Sequence, residues 1–142
     1  MKVAKLFVAV KAFITNERGE VLVIREASTY KDGTQTGKYD VVGGRIEPGQ
    51  QFDESLIREA KEETGLDVKI GQPFFVNESR PVVRGEQWQI VRIFFKCTTT
   101  STKIVLSEDH DGYKWIKPES YKEENLIENL YPGFYLYASQ NN

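Results

Sequence analysis

Residues 43–66 read GGRIEPGQQFDESLIREAKEETGL. The stretch opens on a glycine pair, passes a Pro-Gly turn, and continues as a charged segment that stops at Gly65. The segment has helical character, beginning near Phe52 or Asp53, with Asp53 suited to an N-cap or first-turn position. Gly65 suits the residue just past the helix end, where a left-handed conformation is wanted. Within the helix Glu59, Glu62 and Glu63 stand at i, i+3 and i+4, so their carboxylates leave one helical face. Phe52, Leu56, Ile57 and Ala60 mark the expected buried side, and the three acids lie largely away from it. Like charges at this spacing cost an isolated helix a few tenths of a kcal/mol per pair. A hard divalent cation, Mg²⁺ or Mn²⁺, is the natural counter-charge for clustered carboxylate oxygens.

Charge-rich helices are common as solvated faces, and 58–63 alone (REAKEE) would be read that way. The glycine pair at a set distance upstream and the glycine stop reverse that reading. The stretch resembles the signature of the Nudix hydrolases: Gly, five residues, Glu, seven residues, then Arg-Glu-aliphatic-x-Glu-Glu-x-Gly-aliphatic. Here it runs from Gly44 through Arg58, Glu59, Ala60, Glu62, Glu63 and Gly65 to Leu66 with the spacing intact. Two positions depart: Gln50 replaces the first Glu, and Ala60 is smaller than the usual aliphatic residue. The resemblance implies an α/β/α sandwich with a mixed sheet, the box forming a loop, a helix and a loop beside it. It implies a MutT-like, Mg²⁺-dependent pyrophosphohydrolase. Glu59 and Glu63 become principal metal ligands, Glu62 a ligand or base, and the backbone near Gly43 or Gly44 a further ligand. Arg58 joins the catalytic set, with Gln50 as its expected hydrogen-bond partner and Glu47 as partial compensation for the missing acid. A further acid from outside the box is also implied. Glu108 and Asp109 are the candidates, Glu108 being taken as the catalytic one. A solvated turn is the competing account, and His110 reads as a surface or supporting residue.

Outside the box the chain reads as strands with turns between them. Residues 6–14 and 21–24 are apolar and β-branched, separated by Asn16-Glu17-Arg18-Gly19, and predict a β-hairpin. Residues 26–38 form a long polar loop holding Asp32, either functional or plain surface. Residues 39–42 predict a short strand, 67–76 a strand interrupted by Gly71 and Pro73, 77–86 a second polar loop, 87–98 a long strand and 112–116 a short one. Pro118 sits where a helix over 118–130 would start. The aromatic run 131–137 is placed to close over the sheet or the site.

The 142 residues suit one domain over 1–142. With 39% hydrophobic and 28% charged residues the chain has the composition of a globular protein. A formal net charge of −2 gives no footprint for a nucleic-acid polymer. The single cysteine, Cys97, allows no internal disulfide and suits a reducing, cytoplasmic setting as a buried thiol. The start, MKVAKLFVAVKAFI, is broken by Lys5 and Lys11 and fits a strand better than a signal peptide. No run approaches the ~18 apolar residues of a membrane span.

For substrate contacts Tyr30, Tyr39, Phe74, Trp88 and Phe134 are stacking candidates or core, and Arg25, Arg80 and Arg84 are phosphate candidates or exposed surface. Arg25, Tyr39, Arg80 and Trp88 are the favoured set. The expected partner is a small nucleotide, bound by a monomer or homodimer. A nucleoside triphosphate or a related nucleoside diphosphate derivative is the favoured substrate. ADP-ribose or a nucleotide sugar is the alternative, since Pro81 lies 15 residues after Leu66. A non-catalytic nucleotide sensor on the same scaffold is the alternative of another class.

Overall fold

The structure is a computed structural model and describes residues 3–30 and 33–140; Asp32 of the first polar loop lies outside them. Strand β1 (Lys5–Thr15) is its axis. Along one edge it runs parallel to β7 (Glu86–Thr98), in unbroken register from Lys5↔Trp88 to Thr15↔Thr98. The other edge is shared. At Thr15↔Val21 it meets β2 (Val21–Glu26), across the turn in which Asn16 Oδ1 accepts from the Arg18 and Glu20 N–H groups. From Ala12 to Ala9 it pairs antiparallel with β4 (Val42–Arg45). The hairpin of β1 and β2 therefore exists but spans only its turn end, because β4 takes over the edge of β1 that β2 leaves.

The predicted strand 39–42 is two strands with different partners. β3 (Tyr39–Asp40) pairs with β2, and β4 pairs with β1. At the crossing between them the Asp40 carboxylate accepts the Val41 N–H at 2.7 Å, satisfying a donor that neither ladder takes up. The glycine pair lies inside β4. The parallel β1–β7 pair among antiparallel neighbours makes the sheet mixed, as expected.

Alternation along β1 separates two cores. Val10, Ala12 and Ile14 pack with Leu22, Ile24, Val42, Phe95 and Cys97 against Leu56 and Ala60 of α1 (Phe52–Thr64). Phe13 packs the opposite way, with Phe94, Leu126, Leu130, and Phe134 and Tyr137 of α2 (Tyr131–Gln140). Helices on both faces of a mixed sheet make the α/β/α sandwich.

Several expectations are corrected. Phe52 and Ile57 are 45% and 43% exposed, although Phe52 stacks on Phe95 at 5.4 Å between centroids. The buried stripe of α1 is Ser55, Leu56, Ala60 and Thr64, so it is rotated from the expected face and lies next to Glu63. The strand expected to end at residue 76 continues as β5 (Lys69–Ser79), with register shifts at the Gly71 and Pro73 interruptions. The second loop shrinks to a turn beside β6 (Val82–Val83). Gly85 at φ 79° and Arg84 at φ 51° supply its left-handed residues. The helix expected over 118–130 is two 3-10 turns, Pro118–Glu123 and Glu128–Leu130. Between them the backbone runs beside Tyr39, whose N–H donates to the Asn125 carbonyl and whose carbonyl accepts from the Ile127 N–H. A helix there would forfeit both bonds. The aromatic run instead belongs to α2. β8 (His110–Ile116) adds to β2. Among the described residues no helix is long and apolar enough to cross a membrane.

Candidate active site

The C-terminal turn of α1 has carbonyls that the helix itself cannot satisfy, and two long-range contacts use them. Val105 N–H donates to the Thr64 carbonyl and Ser107 N–H to the Glu63 carbonyl. Gly65, at φ 77°, donates its N–H to the Lys61 carbonyl and ends the helix as expected. The segment docked in this way carries Asp109 and His110 to the side of Glu63. Opposite, β4 brings Gly43 into register with Lys11.

The result is a cleft of about 280 Å³ lined by Glu63, Gly43, Lys11, Asp40, Asp109 and His110, with residues of the first polar loop along its rim. Residues 33–38 of that loop are held by Glu26. Its Oε2 accepts the Gln35 N–H at 2.8 Å, its main chain pairs with Gly37 and Lys38, and a Cβ at Gly33 would collide with its carboxylate. Tyr30, Thr34, Gln35 and Lys38 thereby become cleft wall, so the loop faces the site.

Glu63, on the cleft wall, lies one turn after Glu59 on α1. Burial pushes the Glu63 carboxyl well above the usual range; the Lys11 ammonium opposes this, and Glu59 and Asp40 reinforce it. Glu59 rests over Gly44, where a Cβ would stand 3.5 Å from the Glu59 carboxyl carbon. Glu62 is mostly exposed. Arg58 approaches Glu59 at 3.8 Å and Glu62 at 4.0 Å. Among the described residues no three carboxylate, imidazole or thiol groups converge tightly enough to form a metal centre unaided. The donor chemistry nevertheless fits a hard cation. Two carboxyls one helical turn apart, one of them raised in pKa by burial, are an arrangement in which a divalent ion supplies the missing counter-charge.

Gln50 does not reach Arg58 as expected. Its Oε1 accepts the Glu47 N–H at 2.9 Å while its own N–H donates to the Glu47 carbonyl. It closes the turn that enters the helix. Of the two outside acids Asp109 lines the cleft, whereas Glu108 is not among its lining residues. His110 also lines the cleft; burial lowers its pKa, and its Nδ1 is enclosed without a partner among the described residues.

The favoured substrate contacts lie elsewhere. Arg25 pairs with Asp111 at 2.6 Å and lies over the Tyr39 ring, which is buried. Arg80 pairs with Glu78 at 3.1 Å on the β5–β7 hairpin. Trp88 packs on Phe7 with centroids 4.6 Å apart, under the Arg45 guanidinium. None of the four lines the cleft.

Lys11 and Asp40 were missed by sequence reasoning. Their ion pair, at 3.0 Å, is formed by side chains only 11% and 29% exposed. The available signal was a single charge inside the run LFVAVKAFI.

The chain is similar to known proteins in both sequence and fold. Nucleoside triphosphatase NudI of Escherichia coli K12 is 30% identical over 101 residues, spanning 66% of this chain and 72% of that protein. The crystal structure of MutT protein from Methanosarcina mazei Go1 superposes with a TM-score of 0.86 at 25% identity, covering 100% of this chain and 99% of that one. The NUDIX domain of Shewanella oneidensis NrtR, complexed with ADP ribose, shares the fold at a TM-score of 0.72 and 11% identity, over 100% and 91% of the two chains. The NUDIX domain profile matches residues 5–135, and with the box helix, glycine strand and mixed sheet in place the chain belongs to the Nudix family.

Proposed function

We propose that the chain is a single-domain, divalent-metal-dependent pyrophosphohydrolase acting on nucleoside triphosphates. Family membership makes it a hydrolase of phosphoanhydrides. The triphosphate is favoured by likeness to a nucleoside triphosphatase. The observation that carries the reading is the placement of Glu59 over Gly44, and of Glu63 beside Gly43 in the cleft, one helical turn apart.

Glu59 and Glu63 would hold Mg²⁺ or Mn²⁺, with backbone near Gly43 or Gly44 as a further donor and Glu62 as a ligand or base. The ion supplies positive charge against the phosphates and acidifies water. Asp109, beside Glu63 on the cleft wall, takes the place first given to Glu108 as the outside acid. Arg58, between Glu59 and Glu62, orients both carboxylates. The ordered loop 33–38 narrows the cleft and limits water around the phosphates. A cytoplasmic location fits the lone, buried Cys97.

The test is release of phosphate or pyrophosphate from a panel of nucleoside triphosphates, nucleoside diphosphate sugars and ADP-ribose, with Mg²⁺ and after chelation. Pyrophosphate from one or more triphosphates, abolished by chelator and poorly restored by Ca²⁺, is expected. Preferential turnover of ADP-ribose would move the assignment to the alternative substrate class. Binding without turnover would make the chain a sensor.

A further inference from the structure

Lys11 occupies a place that sequence and packing would give to an apolar residue. It stands in β1 between Val10 and Ala12, both fully buried, and is itself 9% exposed. An uncharged side chain of similar length would fill the same space without burying an ammonium. The space is kept open by Gly43, where a Cβ would collide with the Val10 carbonyl and crowd the Lys11 side chain. Asp40 gives one carboxylate oxygen to the Val41 N–H and the other to Lys11 Nζ. An ammonium has three donors. Among the described residues that is the one hydrogen bond the Lys11 ammonium makes, and the group stands on the wall of the cleft that Glu63 and Asp109 share. A buried cation, held by one side and short of acceptors on the other, is arranged for an anion that arrives from outside.

We propose that the Lys11 ammonium binds a non-bridging phosphoryl oxygen of the substrate, with Asp40 as the counter-ion that holds it when no anion is bound. The inference rests on the hydrolase reading for the identity of the anion, a di- or triphosphate. A lysine is apt there, since it acts on phosphate as a point charge and needs no planar fork.

The probe is inorganic tripolyphosphate, titrated calorimetrically in Mg²⁺ into the wild-type chain and into K11M, K11R and D40N, with circular dichroism to confirm folding. K11M is expected to weaken binding by at least about tenfold, the scale of one charge-assisted hydrogen bond. K11R should keep most of the affinity. D40N leaves the ammonium in place and removes a negative charge, so its affinity should equal or exceed that of the wild type. If the pair only holds the fold, K11M and D40N weaken binding alike, and that result overturns the proposal. So does wild-type affinity in K11M, or no affinity in the wild type. Should K11M fail to fold, the other two decide: affinity kept in K11R and not lowered in D40N supports the contact, and a loss in D40N overturns it. If the wild type hydrolyses no nucleotide while K11M still loses tripolyphosphate, the hydrolase reading falls and the Lys11 site stands.

Discussion

Glu63 stands one helical turn after Glu59, its carboxyl buried in the cleft wall and its pKa raised by that burial and, to a lesser extent, by Glu59. Burial penalises the charged form of Glu63, and the neighbouring Glu59 carboxylate adds to that penalty. The linkage to stability follows. The folded-state pKa of Glu63 is raised well above the ordinary 4.5, so the folded chain holds a proton that the unfolded chain releases. The stabilisation is full below the unfolded pKa and is lost as pH rises through the folded one. A divalent cation competes with that proton and relieves the ionised pair. Mg²⁺ should therefore raise the melting temperature more at pH 8 than at pH 5. Glu63→Gln should flatten the pH dependence of the metal-free chain and lower turnover by at least ~10²-fold. Equal Mg²⁺ increments at both pH values in differential scanning fluorimetry would refute the carboxyl pair as the ion's seat.

Gln50→Glu should be nearly silent. The Gln50 side chain accepts the Glu47 N–H, and a carboxylate is an equally good acceptor there. Arg58 is engaged by Glu59 and Glu62, so restoring the acid of the family pattern brings no new partner. Stability should stay within about 0.5 kcal/mol, as for exposed positions without special contacts. Michaelis kinetics check the point. A large rise in KM at constant kcat would show that position 50 meets the substrate.

What the sequence disclosed and what it withheld divide along contact range. The box was legible because its logic is local: carboxylates one turn apart, a glycine stop, a turn before the first helical residue. The face of the helix was misjudged because Phe52 and Ile57 look like core. Ser55 and Thr64 fill those buried places, and the Thr64 hydroxyl satisfies itself on the Ala60 carbonyl at 2.6 Å. The remainder of the site depends on register. Lys11 meets Asp40 because β3 and β4 pair with different strands, and Asp109 reaches the cleft because residues 105 and 107 cap the helix end. Neither follows from spacing along the chain. The 118–130 segment failed for the same reason, since its backbone bonds go to Tyr39.

Cys97 is read correctly as a buried thiol, and its chemistry can be stated more sharply. Burial in the core beneath α1 pushes its pKa up to about 12. The thiolate is the reactive form, so almost none is present at pH 8 in the folded chain. Ellman's reagent should not label the native protein on a timescale of minutes and should label it fully in denaturant. Fast native labelling would mean that the face of the sheet under α1 opens readily.

The two glycines of β4 should fail differently. Gly43 has φ 151°, and a Cβ there would strike the Val10 carbonyl and the Lys11 main chain within the β1–β4 ladder. Backbone cannot yield as a side chain can, so Gly43→Ala should cost roughly 2–4 kcal/mol of stability through strain and lost packing. Gly44 has no such φ, and its added Cβ would meet the Glu59 carboxyl carbon at 3.5 Å, an ordinary contact. Gly44→Ala should fold with nearly wild-type stability. The methyl group would, however, cover the face of Glu59 that a cation and main-chain oxygen would share. Its Mg²⁺-induced rise in melting temperature should shrink, and turnover with it. Urea denaturation of both variants, with and without Mg²⁺, separates these outcomes. A Gly44→Ala chain that keeps the full Mg²⁺ effect would remove the glycine strand from the ion's surroundings and leave Glu59 and Glu63 to hold it from the helix alone.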